Sequence, residues 1–293
     1  MKAMIFAAGL GTRLKPLTDT LPKALVPLAG KTLLQWQIER LKAAGITDIV
    51  VNVHHFPDMI INYLRENDNF GCRIAVSDER DMLLETGGGL RKAKELLTSS
   101  PNPLPLQGES EGAPILICNV DILSNIDIPT LLRAYNPDEM GVVVVSSRDT
   151  QRYLLFDHDN RLRGWTNIAT GEVRGPIAHY PLPNSEASNS PSGRPIGDTL
   201  SYSGVPEQSA DCSGALSDLS PLAFSGMQVL NPRIFDAMDK VVAEKGDKFS
   251  LIDLYLSIAE KEILRAFIPE NYRMMDVGKI AQLSEAESFA ASL

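Results

Sequence analysis

The chain has 293 residues, of which 44% are hydrophobic and 22% are charged, and its formal net charge is −9. This balance provides enough apolar material for a sizeable core and excludes a chain that is disordered throughout. The length suits one large domain or two small ones. The three cysteines, Cys72, Cys118 and Cys212, are far apart and show no C-x-x-C spacing. This excludes a disulfide scaffold and predicts reduced thiols in a reducing compartment.

Neither a membrane span nor a signal segment is expected. No run approaches the roughly 18 apolar residues that a membrane helix needs, and the apolar stretch 3–8 is too short for a signal peptide. We therefore expect a cytoplasmic protein. The acidic balance argues against a nucleic-acid partner. Residues 1–40, however, carry a net charge of +4, which indicates a local anionic ligand or, equally well, lysines that are only solvated.

The first half of the chain alternates strand and helix patterns. A short apolar run at 4–8 ends in Gly-Leu-Gly, as a buried parallel strand does. The other strands predicted in this half are 49–53, 73–77 and 115–118, and the predicted helices are 31–44, one that Pro57 begins, and 89–97. This alternation predicts an α/β fold with a doubly wound, mostly parallel mixed sheet.

The second half is richer in strands. Helices are predicted after Asn231 and Pro232, after a capping box of Ser250 and Asp253, and through 280–283. The predicted strands are 141–145, 153–156, 161–165, 222–230 and 272–277, with a turn at 157–160.

Two stretches rich in Ser, Pro and Gly interrupt this pattern, at about 98–114 and 181–221. So polar a tract buries too little surface to offset its ordering entropy. We therefore expect both to be mobile surface insertions, and we expect residues 1–293 to form a single domain.

The glycine-rich segment after the first strand carries the strongest chemical signal. Gly9 and Gly11 have no side chain, so consecutive backbone N–H groups can approach phosphate oxygens. Thr12 adds a hydroxyl donor, Arg13 a guanidinium suited to a polyphosphate, and Lys23 a second cation over the same pocket. A Gly-x-Gly turn by itself is as often structural. This one is not a dinucleotide fingerprint, because the third glycine position is filled, and it is not a P-loop.

Two aspartates follow predicted strands. Asp121 comes directly after the strand 115–118, at the edge where open α/β sheets place ligands. A carboxylate there suits Mg²⁺, or it closes the strand as an Asx turn. Asp276, taken alone, is more typical of a helix N-cap. His54 and His55 are adjacent, and neighbours on a strand point to opposite faces, so they indicate a strand-end loop rather than a shared metal site.

Several motifs together resemble the signature of sugar-1-phosphate nucleotidyltransferases, the nucleoside-diphosphate-sugar pyrophosphorylases. The motifs are Gly9-Leu-Gly-Thr-Arg13, Pro16, Pro22-Lys23, Pro27-Leu-Ala-Gly-Lys31, Leu84-Glu-Thr-Gly-Gly-Gly89, Asn119-Val-Asp121, Phe224-Ser-Gly-Met-Gln-Val-Leu230 and Asp276-Val-Gly278. The resemblance covers nearly the whole chain apart from the two insertions. It is strongest to N-acetylmuramate-1-phosphate uridylyltransferases, with mannose-1-phosphate guanylyltransferases close behind. It implies a Rossmann-like nucleotidyltransferase domain of the GT-A-like type.

The resemblance also implies a reaction and a site. An NTP and a sugar 1-phosphate would give an NDP-sugar and pyrophosphate, in nucleotide-sugar biosynthesis for the cell wall. Arg13 would bind the β- and γ-phosphates, Lys23 would lie between the reacting phosphates, and Asp121 and Asp276 would hold Mg²⁺. The remaining implied contacts are with the nucleotide, from Ala8, Gly9, Gly11, Thr12, Glu85, Gly87 and Gly88, and with the sugar, from Asn119 and Gly226.

The segment 85–89 has two interpretations. The simpler one is a loop with a flexible helix start. The functional one places the nucleotide base flat against the glycine backbone, whose N–H and C=O groups would contact its edge. Asn167 and Glu172 are weaker candidates for sugar contacts, because 169–172 equally suits a hairpin turn.

The chain departs from the family pattern at two places. Val120 stands before the metal aspartate, where the family usually has Gly or Ser, and Lys279-Ile280 stand where Thr-Pro is common. Neither change removes a charged group. The alternatives to uridylyl transfer are guanylyl transfer, transfer to phosphocholine, and a non-catalytic nucleotide-sugar sensor or regulatory subunit. The sequence leaves the sugar, the nucleotide, the role of the Ser-rich insertion and the oligomeric state open.

Overall fold

The computed structural model of the protein describes residues 1–99, 112–179 and 219–293. The two predicted insertions, at about 98–114 and 181–221, lie mostly outside these ranges, as does Cys212. Within them, no helix has the length and apolar character that crossing a membrane requires.

Ten of the strands in the described residues form one mixed sheet, and four form two small ribbons. In chain order the strands are β1 (Lys2–Phe6), β2 (Pro27–Leu28), β3 (Lys31–Thr32), β4 (Asp48–Val53), β5 (Arg73–Asp78), β6 (Ile115–Asn119), β7 (Ile122–Ser124), β8 (Gly141–Ser146), β9 (Arg152–Phe156), β10 (Leu162–Asn167), β11 (Glu172–Arg174), β12 (Ser220–Leu230), β13 (Leu264–Phe267) and β14 (Met274–Asp276). The α-helices are α1 (Leu33–Ala43), α2 (Pro57–Glu66), α3 (Glu85–Lys92), α4 (Lys94–Thr98), α5 (Ile128–Arg133), α6 (Ile234–Lys245), α7 (Leu251–Ile258) and α8 (Leu283–Ala290).

The parallel strands β6, β1, β4 and β5 form one half of the main sheet, with β1 between β6 and β4. The long strand β12 joins this half to the rest, because it pairs antiparallel with β6, β8 and β9. Strands from before and after residues 180–218 therefore share one sheet. The sheet continues through β10 and β11 on one branch and through β13, parallel to β8, on the other.

Both faces of the sheet are covered, as a doubly wound fold requires. Side chains of β1 alternate between the two cores: Ala3 and Ile5 pack in one, Met4 and Phe6 in the other. The first core contains buried residues of α1, α2, α5 and α8, and the second contains those of α3, α4, α6 and α7. This confirms the predicted fold class.

Most predicted elements are present with shifted ends. The capping box of Ser250 and Asp253 is formed as predicted, and 157–160 is a turn. Near the C-terminus the strand is shorter than 272–277, and the predicted helix is a short 3-10 turn at 280–282 followed by α8. Asn231 caps the turn before α6, since its side chain accepts from the backbone N–H of Arg233, and the helix itself begins at Ile234.

The helix predicted over 89–97 differs from the structure. It begins four residues earlier, at Glu85, and Ala93 separates α3 from α4. Three consecutive glycines disfavour a helix in isolation. Here tertiary packing of their bare backbone compensates, which a local pattern does not show.

Candidate active site

The glycine-rich segment leaves β1 and turns at Gly11, whose φ is +64°. A Cβ at this position would lie 2.8 Å from Cγ2 of Thr18 and 3.1 Å from Cβ of Lys23, so both the backbone angle and the close packing require glycine. The carbonyl of Gly11 accepts from the backbone N–H of Leu14 and from the Thr18 hydroxyl, each at 2.8 Å. These two hydrogen bonds hold the turn in a defined conformation.

An open cavity of about 330 Å³ lies above this turn. Its lining combines the glycine-rich segment with Lys23 and two positions remote in sequence; the residues are Gly9, Leu10, Gly11, Thr12, Arg13, Lys23, Leu83 and Gly278. Gly9 faces open space, because a Cβ placed there meets no atom of the described residues within 4 Å apart from its chain neighbours. Ala8, two residues after β1, is buried, whereas Thr12 is exposed in a short 3-10 helix.

Lys23 contributes to the lining of this cavity. It follows Pro22 and opens a 3-10 helix whose first turn is closed by a bond from the backbone N–H of Leu25 to the Pro22 carbonyl, 2.9 Å. Lys23 itself is 8% exposed. Its ammonium forms an ion pair with the Asp121 carboxylate, and a buried cation of this kind needs such a partner.

Asp121 and Asp276 are brought together by the two-stranded ribbon of β7 and β14. Asp276 pairs with Ile122, and the backbone N–H of Val277 donates to the Asp121 carbonyl at 2.8 Å. Helix α1 also holds the ribbon in place, because the buried Gln37 side chain donates to the Ile122 carbonyl at 2.7 Å. Asp276 is not a helix cap, since the next helical turn begins at Ile280.

Arg13 completes this group from the glycine-rich side. Its guanidinium lies 4.0 Å from the Asp276 carboxylate, and both side chains are about half exposed. Gly278 lies next to both: a Cβ there would be 2.6 Å from Oδ1 of Asp276 and 2.8 Å from Nη2 of Arg13. Because Gly278 has no side chain, the Asp276 carboxylate and the Arg13 guanidinium can approach each other. This gives a structural reason for the glycine in the motif Asp276-Val-Gly278.

The surroundings of the Asp276 carboxylate are compatible with binding of a cation. Burial raises the pKa of its carboxyl, and the negative charge of Asp121 raises it further, against the opposing charges of Lys23, Arg13 and Arg148. Its Oδ1 is buried and has no hydrogen-bond partner in the described residues. Two adjacent carboxylates with an unsatisfied buried oxygen fit a hard divalent cation. Within the described residues, no group of three or more acidic, His or Cys side chains is placed to hold a metal ion.

The glycines of α3 are used for packing. The backbone N–H groups of Gly87 and Gly88 both donate to the Phe249 carbonyl, at 2.9 and 3.1 Å. A Cβ on Gly87 would lie 2.4 Å from the Phe249 ring, and one on Gly88 would lie 2.2 Å from the Asp247 carbonyl oxygen. The expectation of a loop at 85–89 is therefore wrong. Nucleotide contact through these two N–H donors would require their release from Phe249.

Glu85 differs from these glycines. It is exposed and adopts a φ of +61° at the first position of α3, an angle that a non-glycine residue rarely takes. It does not line the cavity above Gly11, whereas the nearby Leu83 does. A nucleotide contact from Glu85 stays a prediction.

The predicted sugar residues flank the carboxylates. Asn119 ends β6 beside Phe6, the last residue of β1. Gly226 has a φ of +76° and packs on Ile122, so that a Cβ would lie 2.6 Å from Cγ1 of Ile122. Asn167, by contrast, bonds the backbone of the turn at 167–171 that joins β10 to β11.

The two histidines follow β4. The ring of His54 donates to the Glu79 carbonyl at 2.7 Å, and that of His55 to the Thr18 carbonyl at 3.2 Å. Each ring therefore binds a different backbone carbonyl.

Sequence reasoning missed Arg148. It lies in the loop after β8, and its guanidinium donates to the Phe224 carbonyl at 3.0 Å. No motif marks it, because its contact with Phe224 arises from the pairing of β8 with β12.

A glycine-rich turn at the end of a parallel strand thus lies beside two cations and two carboxylates. Comparison with known proteins gives the family of the chain. Residues 2–162, more than half of the chain, match the family model described as nucleotidyl transferase. The chain belongs to this family.

Two named relatives show how far the sequence similarity extends. The chain is 39% identical over 161 residues to N-acetylmuramate alpha-1-phosphate uridylyltransferase of Caulobacter vibrioides, a match that covers 53% of this chain and 61% of the relative. It is 34% identical over 161 residues to mannose-1-phosphate guanyltransferase of Neurospora crassa, covering 54% and 41%. The matches thus span about half of the relatives' lengths.

A solved structure described as a putative glucose-1-phosphate thymidylyltransferase from Bacillus anthracis superposes with a TM-score of 0.68. The superposition covers 100% of this chain and 96% of that one, at 16% identity. It confirms the fold.

Proposed function

We propose that this chain transfers a nucleotidyl group from an NTP to a sugar 1-phosphate. An oxygen of the sugar phosphate would attack the α-phosphorus, the bond from the α-phosphorus to the bridging oxygen would break, and pyrophosphate would leave with that electron pair. The observation that carries the proposal is the convergence of Lys23, Asp121, Asp276 and Arg13 at one end of the parallel strands. Open α/β sheets bind ligands at this edge.

The chemistry needs positioning and charge neutralisation more than a proton acceptor. A phosphate monoester has a second pKa near ~6 and is largely dianionic at pH 7, so it is already a nucleophile. Arg13 is exposed beside the glycine-rich turn, where it would bind the β- and γ-phosphates. Lys23 is held by Asp121 and would lie against the reacting phosphates. The site thus supplies what an in-line phosphoryl displacement requires.

Asp121 and Asp276 would hold Mg²⁺. When bound, the ion would neutralise charge on the phosphate oxygens. The buried, unsatisfied Oδ1 of Asp276 supports this assignment, because it lacks a protein donor in the described residues and faces a second carboxylate. Gly9 leaves room for a phosphate to approach the backbone.

Our first candidate substrates are UTP and N-acetylmuramate 1-phosphate, and the second are GTP and mannose 1-phosphate. The support is the sequence similarity to relatives that carry these activities in their names. We place the reaction in the cytoplasm, in cell-wall precursor synthesis, on a chain that is a single domain with two insertions.

The test is pyrophosphate release with each of four NTPs against a panel of sugar 1-phosphates and phosphocholine. One pair should turn over well above the others, and turnover should require Mg²⁺. Binding of an NDP-sugar without turnover of any pair would instead support a sensor or regulatory subunit. Turnover with phosphocholine alone would overturn the sugar assignment.

A further inference from the structure

The predicted catalytic group has a shortage of positive charge. Arg13 and Lys23 carry two positive charges, and Asp121 and Asp276 carry two negative ones, so the four side chains together are neutral. A divalent cation would add two positive charges. An NTP and a sugar 1-phosphate bring several more negative charges than that, since each phosphate monoester is largely dianionic at pH 7. Binding of the acceptor therefore calls for a further cation on its side of the site.

Arg148 lies on that side. Its guanidinium bonds the carbonyl of Phe224, two residues before Gly226. Gly226 packs on Ile122, the residue after Asp121. On the same segment, the Tyr272 hydroxyl lies 3.5 Å from the Ser225 carbonyl. These contacts place Arg148 beside the ribbon that carries both carboxylates.

The bond from Arg148 to Phe224 lies where the pairing of β12 with β8 is irregular. The register between β12 and β8 shifts between Phe224 and Gln228, so the ladder is interrupted at this point. The Phe224 carbonyl accepts from Arg148, and the hydroxyls of Ser146 and Ser225 lie 3.3 Å apart, which fixes the end of β8 against β12. The loop that carries Arg148 thus begins from a rigid base.

Arg13 and Arg148 approach the ribbon from different elements. Arg13, on the glycine-rich turn, lies 4.0 Å from the Asp276 carboxylate, and Arg148, in the loop after β8, bonds the segment of β12 that packs on Ile122. Arg148 is exposed, and its bond to Phe224 needs only one of the five N–H donors of a guanidinium. The others can form a forked pair with phosphate oxygens.

We propose that Arg148 binds the phosphate group of the sugar 1-phosphate, while Arg13 binds the phosphates that leave as pyrophosphate. This inference rests on the proposed function and divides its two anionic substrates between two arginines. It makes Arg148 a substrate-binding residue on the acceptor side.

The test compares Arg148→Ala with Arg13→Ala under steady-state conditions, using the NTP and sugar 1-phosphate that the wild-type protein turns over fastest. Arg148→Ala should raise KM for the sugar 1-phosphate at least about tenfold and leave KM for the NTP within about twofold. Arg148→Lys should fall between Arg148→Ala and wild type, because it keeps the charge but loses the fork. In the reverse direction, Arg148→Ala should leave KM for pyrophosphate unchanged, whereas Arg13→Ala should raise it.

Arg65→Ala is the matched control, since Arg65 is an exposed arginine of α2 away from the ribbon. It removes the same charge and should change neither KM. If Arg148 only fastens β12, Arg148→Ala will lower the melting temperature and change both KM values alike, which overturns the proposal. Unchanged KM values in a folded Arg148→Ala protein also overturn it. A wild-type protein that turns over no pair would defeat the proposed function itself, and this inference with it.

Discussion

The side chain of Asn52 connects the buried carboxylate of Glu79 to the end of β1. Its amide nitrogen donates to Oε1 of Glu79 at 2.7 Å, and its oxygen accepts from the backbone N–H of Ala7, also at 2.7 Å. Asn52 is 2% exposed and Glu79 is fully buried. The second oxygen of Glu79 accepts from the backbone N–H of Leu84 at 3.4 Å. This chain of bonds links the start of the glycine-rich segment to the start of α3, on two sides of the cavity.

Asn52→Ala should therefore destabilise the fold and impair the site. It removes both bonds and leaves Oε1 of Glu79 and the Ala7 N–H buried without these partners, which costs about 2–3 kcal/mol. Chemical denaturation would measure this loss. Asn62→Ala, at an exposed position of α2, is the control and should change stability by less than about 0.5 kcal/mol. Equal effects of the two substitutions would show that the Asn52 bridge contributes nothing.

The sequence predicted elements whose signals are local. The apolar run of β1, the helix start at Pro57 and the capping box at Ser250 each depend on residues a few positions apart, and all three are present in the structure. The parallel alternation then placed Asp121 at the correct edge of the sheet. Asp276 was placed by family resemblance alone, because β14 meets β7 across some 150 residues of chain.

Other features depend on contacts that no local pattern encodes. The three glycines of α3 predict a loop when the local sequence alone is considered. The structure holds them in a helix against the Phe249 carbonyl, over 150 residues away in the chain. Nothing in the local sequence distinguishes Asn52 and Glu79 from exposed polar residues. They are buried because the neighbouring strands β4 and β5 place them inside the fold. Arg148 meets the Phe224 carbonyl only because β8 pairs with β12, some 80 residues further along the chain.

Gly9→Ala and Gly88→Ala should separate phosphate binding from packing. The methyl group of Gly9→Ala has open space among the described residues, so stability should be unchanged or slightly higher. A phosphate bound against the backbone would, however, meet this methyl group. We expect KM for the NTP to rise about tenfold or more. Gly88→Ala forces a Cβ against the Asp247 carbonyl and should lower the melting temperature instead. Normal NTP kinetics in Gly9→Ala would contradict the assigned role of the glycine-rich turn.

Asp253 gives a pH-dependent contribution to stability. Burial alone would raise the pKa of its carboxyl, but hydrogen bonds from Lys245, Ser250 and Arg174 outweigh this and hold the pKa well below its usual value. Because the folded-state pKa is depressed, the stabilisation is present above the unfolded pKa of about 3.8 and is lost as the pH falls through the folded value.

Asp253→Asn should thus destabilise the protein at pH 7 by about 1–2 kcal/mol, since it weakens both the capping box and the two ion pairs. The difference from wild type should shrink as the pH is lowered below about 4. Thermal unfolding across pH 3 to 8 would measure it. The exposed Asp239 of α6 is the control position, and Asp239→Asn should give a small difference that does not follow this trend. A constant difference for Asp253→Asn across that range would show that its charge is not the cause.

Asp276→Asn tests the proposed metal pair. The substitution keeps the shape of the side chain and removes a charge that burial and Asp121 both disfavour, so without metal the fold should be as stable as wild type or more stable. If Asp121 and Asp276 hold Mg²⁺, turnover should fall about a hundredfold or more, and the Mg²⁺ concentration for half-maximal turnover should rise. Calorimetric titration with Mn²⁺, without substrate turnover, should show weakened binding to the same variant. Asp236→Asn, at an exposed position of α6, should alter neither measurement. If Asp276→Asn keeps wild-type turnover and Mn²⁺ binding, Asp276 is not a metal ligand.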